Sequence, residues 1–293
     1  MPGKYGRQGL FISLFLAPAV FLYGIFVVNP YLAAIQRSFT SWSGFSGQAP
    51  FVGLSNFRQL LEDEVFVLSV KNSMILVLTL PVVFAISLGL AVTLNKQDRF
   101  AKIMRIVVVL PILLSLPTVA ALAKQAYQPD WGFINYFLRA VALDAWASPW
   151  LAEPNLALYA VAAAWIWYAT SFYFIIFSAG LHNIPPDIFE AAKLDGAAAW
   201  GMFTKITLPL LVPVLRVSVF FFIVGIFLFA FPLIHVMTQG GPGHQTEVMA
   251  TWLYKQAFLE AKFGYASAIG VAVLVLSLAL AGIGTGLLRK QVD

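Results

Sequence analysis

The chain has 293 residues, of which 60% are hydrophobic, 15% aromatic and only 11% charged, with a mean hydropathy of +0.85. Apolar usage this high excludes an ordinary soluble domain and places the chain in a membrane. The absence of cysteine rules out disulfides, thiolate metal sites and a cysteine nucleophile. The net charge of +5 is spread over the ends of apolar runs and forms no patch, so nucleic acid is excluded as a partner.

A hydrocarbon core of roughly 30 Å needs about 20 residues of helix to cross it. Six apolar runs meet that length, at 10–35, 66–94, 103–125, 157–180, 211–235 and 266–288, and they predict an all-α integral membrane protein, a single transmembrane domain over 1–293. The first, in "MPGKYGRQGLFISLFLAPAVFLYGIFVV", has the charged start of a signal peptide. Its apolar part, from Leu10 to Val28, is longer than a signal core of about 7–15 residues, so it is read as a retained span.

The loop "NKQDRFAKIMR" (95–105) is the strongest orientation marker. Assigning it to the cytoplasm puts Lys4, Arg7, Lys96, Arg99, Lys102, Arg105, Lys193, Lys205, Arg289 and Lys290 inside, against Arg37, Arg58, Arg139, Lys255 and Lys262 outside. That is the asymmetry of the positive-inside rule, with both termini cytoplasmic. Lys71, Lys124 and Arg216 fall within or beside spans, where they snorkel to an interface or, alternatively, draw anions along a path.

All 13 acidic residues fall in loops or tails. Ion-coupled carriers often keep carboxylates within spans, where each costs about 2.5–3.5 kcal/mol, so the pattern weighs against a proton pump or exchanger. No lysine stands in a Gly-rich phosphate loop, the three histidines are scattered, and no catalytic constellation emerges. A membrane path without its own energy source needs an energised partner or a downhill gradient. A secondary carrier of a small polar solute is therefore the alternative to a partner-driven transporter.

The loop 181–210 carries "NIPPDIFEAAKLDGAAAW". Asn183 is expected to cap a helix whose first turn holds Pro185 and Pro186, with Asp187 favouring the positive end of its dipole. Gly196 suits a left-handed helix stop. A second short helix, "AAAWGMFTKITL", is expected to end near Pro209, with Pro213 marking the entry to the fifth span. The product is a helix, a sharp turn and a second helix on the cytoplasmic side.

The run Glu190, Ala191, Ala192, Asp195, Gly196, Ala197, Phe203, Ile206, Leu208, Pro209 and Pro213 resembles the whole "EAA" signature of binding-protein-dependent ABC importer permeases. "FVGLSNF" (51–57), "WGFINYFLRAVAL" with "WLAEPNLAL", "TQGGPGHQT" (238–246) and "YKQAF" with "FGYASA" (263–268) resemble the carbohydrate branch, of maltose, multiple-sugar and glycerol-phosphate type. The chain is similar to the first of the two permease partners, without the large outer insertion of some members.

The resemblance implies a type I importer permease fold that forms half of a pore with a second permease subunit. Two copies of an ABC ATPase subunit and an extracytoplasmic solute-binding protein complete the implied assembly in the cell membrane. This chain then binds no cofactor and is not an enzyme, with ATP and Mg held by the ATPases. Glu190, Ala191, Ala192, Asp195 and Gly196 are the implied ATPase-coupling residues. Trp167, Tyr168 and Phe172 in the fourth span fall where relatives line a sugar site, and Phe227 and Ala230 fall where the maltose type carries asparagines. The loop 238–246 is expected to be a flexible outer segment meeting the binding protein, or a turn.

Overall fold

The computed structural model describes residues 3–289 apart from 46, 48 and 97, with side chains from 11 to 287. Lys290 and Asp293 lie outside the described residues, as do the side chains of Lys4, Arg7 and Arg289. Among the described residues every regular element is helical, apart from one isolated antiparallel bridge between Thr40 and Phe51.

Helix α1 (Gly3–Tyr23) continues through a π turn, Gly24–Val28, into α2 (Asn29–Arg37). After α3 (Ser55–Glu62), α4 (Glu64–Val77) and α5 (Leu80–Thr93) form a membrane-length rod of 30 residues. Next come α6 (Arg99–Val109), α7 (Leu116–Ala126), α8 (Phe133–Ala140), α9 (Pro154–His182) and α10 (Pro186–Leu194). Then α11 (Ala199–Met202) passes through a π turn, Phe203–Thr207, into α12 (Leu208–Met237), followed by α13 (Met249–Tyr254) and α14 (Phe263–Arg289).

Among the described residues five helical stretches are long and apolar enough to cross a membrane, or six if the bent pair at the place of the expected third span forms one. Arg99–Leu113 and Leu116–Ala126 are bent by 104°. The sequence "LPILLSLP" explains the break. A 3₁₀ turn, Leu110–Leu113, tightens the end of α6, Leu114 is extended, and the Ser115 side chain accepts from the Thr118 N–H to cap a new helix. Pro117 sits in that first turn, where its missing N–H leaves nothing unsatisfied.

The expected short helix before the fifth span also differs. It is fused to that span, so Ala199–Met237 is one rod of 39 residues. Pro209 has no N–H to close an ordinary turn, and the wide turn absorbs it, with the Leu208 N–H reaching Phe203 O.

The chain forms two compact units. In the unit made of the residues up to Glu62 with Leu253–Ala272, Asn56 is buried and its Nδ2 donates to Ser38 O and Thr40 O, both at 2.8 Å. The Gly264 N–H donates to Trp42 O at 2.9 Å, and a Cβ at Gly264 would collide with the Thr40 carbonyl. The motifs "FVGLSNF" and "FGYASA" thus hold the same segment, 38–42, from two sides. Arg37 lies over the Trp42 ring at 4.1 Å, and Trp42 packs on Phe263.

In the unit holding Asp63–Trp252 and the chain from Val273, α9 is the central helix, packed against α5, α6, α7 and α12. Its core is a ring cluster: Phe84 of α5 meets Tyr173, Phe177 and Phe222 with centroids 5.0, 5.1 and 5.9 Å away. Gly284 of α14 sits against Val219 and Ile223 of α12 so closely that a Cβ would press on both. Gly264→Ala is expected to lower the melting temperature of the purified protein clearly, whereas Gly282→Ala, in open space, leaves it almost unchanged; differential scanning fluorimetry in detergent makes the comparison.

Candidate functional site

Asn183 closes α9 as its C-cap, and Pro185, extended at φ −55° and ψ 132°, precedes α10. The expected capping role for Asn183 is therefore corrected: the chain must leave one helix before Pro186 can begin the next. Pro185, expected in the first turn, stands before the helix, and Ala192, expected with Ala191 on its outer face, is buried. Asp187 lies in the first turn and Lys193 in the last, each suited to its end of the dipole.

The stop after α10 is a Schellman turn: the Ala197 N–H reaches Ala192 O at 2.9 Å and the Gly196 N–H reaches Lys193 O at 3.1 Å, with Gly196 at φ +78°. Open space surrounds Gly196, so its backbone angle is what demands glycine. Ala192 and Phe189 face inward, while Glu190, Ala191, Leu194, Asp195 and Trp200 are exposed, Leu194 at 90%. The turn thus displays a carboxylate, a smooth alanine face and two large apolar side chains.

Phe189 and Lys193 share a groove with Val92 and Asn95, which places the basic loop and α10 at the same end of the bundle. Within that loop Asp98 caps α6 by accepting from the Ala101 N–H at 2.7 Å. Arg105 does more than anchor charge: its guanidinium donates to Leu94 O and Lys96 O and so satisfies carbonyls at the end of α5.

A cavity of about 310 Å³ opens near the midpoints of α9 and α12. Trp165, Tyr168, Ala169, Phe172 and Tyr173 supply one helical face, Phe221, Phe222, Gly225 and Phe229 the other, and Ile112 joins from the bend of the broken span. No charged residue lines it among the described residues; its polar groups are the Tyr168 and Tyr173 hydroxyls and the indole of Trp165, whose Nε1 is buried without an acceptor.

Tyr168 and Phe172 are brought together here as the sequence suggested, and three other expected residues are not. Trp167, one position from Tyr168, is rotated about 100° away. It lines apolar grooves on the outside of the bundle. Phe227 and Ala230 are buried in helix packing, at 4% and 2% exposure, outside the cavity lining. Lys71, Lys124 and Arg216 do not line the cavity either. Trp165, Tyr173, Phe222 and Phe229 were missed, although the i, i+3, i+4, i+7 spacing from Trp165 to Phe172 carried the signal.

The loop after α12 is a hydrogen-bonded turn, the second of the two forms expected of it. Its carboxylate, Glu247, is fully buried. The Thr251 hydroxyl donates to Glu247 Oε2 at 2.6 Å, His244 Nδ1 is 3.5 Å from Oε1, and a Cβ at Gly240 would overlap the carboxylate. Asn72 of α4 donates to Gln245 O and Glu247 O at 2.9 and 2.8 Å, and Trp252 Nε1 donates to Asp63 Oδ2 at 2.8 Å. Asp63 caps α4 with its other oxygen. No sequence signal separated this buried glutamate from the solvated ones.

Residues 69–292 match the family described as binding-protein-dependent transport system inner membrane component. A probable ABC transporter permease protein of Pyrococcus horikoshii is 36% identical over 92% of both chains. The diacetylchitobiose uptake system permease protein NgcF of Streptomyces coelicolor is 30% identical over 93% of this chain and 80% of its own. The fold is similar to a chain of a bacterial alginate ABC transporter, solved in complex with an alginate pentasaccharide-bound periplasmic protein, with a TM-score of 0.84 and 25% identity over 99% of this chain and 98% of that one.

The chain belongs to this inner-membrane transport family. It is a multi-pass, pore-forming permease subunit of an ABC importer.

Gly240→Ala is expected to cost about 3 kcal/mol, from its left-handed angle of +84° and the overlap with Glu247. Gly243→Ala, with φ +53° and open space, is expected to cost only about 1 kcal/mol. Equal losses in thermal unfolding would show that Glu247 does not fill the space under Gly240.

Proposed function

We propose that this subunit imports a sugar or sugar-like solute, that the cavity between α9 and α12 is part of its path, and that the segment 183–200 receives the thrust of ATP hydrolysis from partner subunits. In this reading both termini are cytoplasmic, α10 docks on one of two ATPase subunits, a second permease completes the pore, and an extracytoplasmic binding protein delivers the solute. The chain itself binds no cofactor; ATP and Mg belong to the ATPases.

One observation carries the reading. The exposed turn α10–α11 joins the two helices that form the cavity, and α11 is continuous with α12 as a rod of 39 residues. A push on Glu190, Ala191 or Leu194 therefore reaches cavity walls through rigid helix, as two-state pore switching requires. Asp195 and Gly196 hold the angle between docking helix and rod.

The lining supports a carbohydrate. Aromatic faces pack on the C–H faces of sugar rings, and tyrosine hydroxyls offer hydrogen bonds at the edge. The likeness to a diacetylchitobiose permease and to an alginate transporter points to the same class of solute.

The direct test is ATP hydrolysis by the reconstituted complex across a panel of loaded sugars, sugar phosphates and glycerophosphodiesters. One solute is expected to stimulate hydrolysis, and Glu190→Ala is expected to abolish that stimulation while the solute still binds its carrier protein. Stimulation that survives the substitution removes Glu190 from coupling, and failure of any ATPase to co-purify removes the partner assignment. In the same vesicles Phe172→Ala is expected to reduce uptake about tenfold, the equivalent of about 1.4 kcal/mol, and Trp167→Ala to leave it within about twofold. Equal effects would move the solute path away from the cavity.

A further inference from the structure

The segment between α7 and α9 forms a small lobe with a polar interior and an aromatic exterior. Asn135 is its centre, 1% exposed. The amide Nδ2 donates to Pro129 O and Ser148 O at 3.1 and 3.0 Å, and Oδ1 accepts from the Ser148 N–H and Trp150 Nε1 at 3.3 and 2.7 Å. Gly132 lets the chain turn tightly out of α7: its N–H reaches Gln128 O at 3.0 Å, and a Cβ there would strike backbone atoms of Gln128 and Ala126. The lobe is thus held in one orientation against the end of α7.

Its outer face is α8. Phe133, Tyr136 and Phe137 stand at i, i+3 and i+4, exposed by 66%, 70% and 54%, with Phe133 and Phe137 stacked at 6.2 Å. Trp131 and Trp146 are equally open. Arg139 lies off this face and donates to Pro129 O and Asp130 O, so the one cation of α8 is turned to its own backbone. An aromatic face this continuous marks an interaction surface.

Its position selects the occupant. The lobe follows the second arm of the bent apolar pair, which ends at Ala126, and precedes the membrane-length helix that begins at Pro154. Phe133 lies on an apolar groove of about 370 Å³ with Leu122 and Tyr127 on the α7 side and Trp167 on α9, so the face of α8 runs on into the apolar flank of those helices. Rings with one apolar body and a polar tip, on a short amphipathic helix at a span end, match the chemistry of the headgroup boundary.

We propose that α8 is an interfacial anchor whose Phe133, Tyr136 and Phe137 face is seated in the lipid headgroup boundary at the Ala126 and Pro154 ends of α7 and α9. It fixes the height of the lobe relative to the bilayer, and with it the ends of α7 and α9.

The natural chain has no cysteine, so single-cysteine variants report one place each. Phe137→Cys, Tyr136→Cys and Asp144→Cys are labelled with a thiol-reactive bimane, and the whole transporter complex is placed in phosphatidylethanolamine and phosphatidylglycerol vesicles. Phosphatidylcholine brominated high on its acyl chains is then added to the lipid, or iodide to the water. Labels at 136 and 137 are expected to lose most of their emission to the brominated lipid and little to iodide, with the reverse at 144. Strong iodide quenching at 136 and 137 would overturn the proposal by placing the face in water. Protection from both quenchers, or protection from iodide only after the loaded binding protein is added, would overturn it by assigning the face to a protein partner.

Discussion

A hydrocarbon core offers no partner to a peptide N–H or C=O, and each group left open there costs several kcal/mol. Every membrane-length stretch among the described residues is accordingly helical, and two departures from regular helix have a local remedy. At Pro209 the wide turn Phe203–Thr207 carries the hydrogen bonding past the missing donor. At the 104° bend the Ser115 side chain caps α7 and the 3₁₀ turn closes α6. That bend lies beside the cavity, to which Ile112 contributes, as expected if irregular backbone at membrane depth is tolerated where protein or a cavity covers it.

The cavity follows from the same packing. Helix α9 offers neighbours on one side Trp165, Tyr173 and Phe177, which lock with Phe84 and Phe222 into a ring cluster. Rings fill these crossing points, and Gly225 adds no side chain to the wall of α12, where the Phe229 ring lies against it. The space left is therefore walled by aromatic faces. Such a wall offers flat apolar surface and no fixed charge among the described residues.

Two polar constructions lie at opposite levels of complexity. The α10 turn is local: a Schellman pair of hydrogen bonds, Gly196 at positive φ, and charges matched to the dipole, all within about a dozen residues. The loop around Glu247 is not local, since Asn72, Ser73 and Asp63 reach it from α4 across most of the sequence. Those distant groups help to bury the carboxylate, and the threonine hydroxyl and the imidazole beside it offset the cost of its lost hydration.

The sequence by itself determined the membrane class, the places of five crossing helices, the turn at Gly196 and the exposed Glu190 face. Each depends on composition, hydrophobic run length or backbone chemistry within a few residues. Tertiary structure alone decided the rest. Trp167 and Tyr168 look alike in the chain, and only the rotation of α9 against α12 sends one outward and the other into the cavity. The run 103–125 reads as a straight span because hydropathy does not register the 104° bend within it. Glu247 reads as a solvated loop residue because burial depends on partners about 175 positions away. What is set by neighbours in sequence was legible, and what is set by neighbours in space was not, because side-chain direction and burial exist only once the helices have packed.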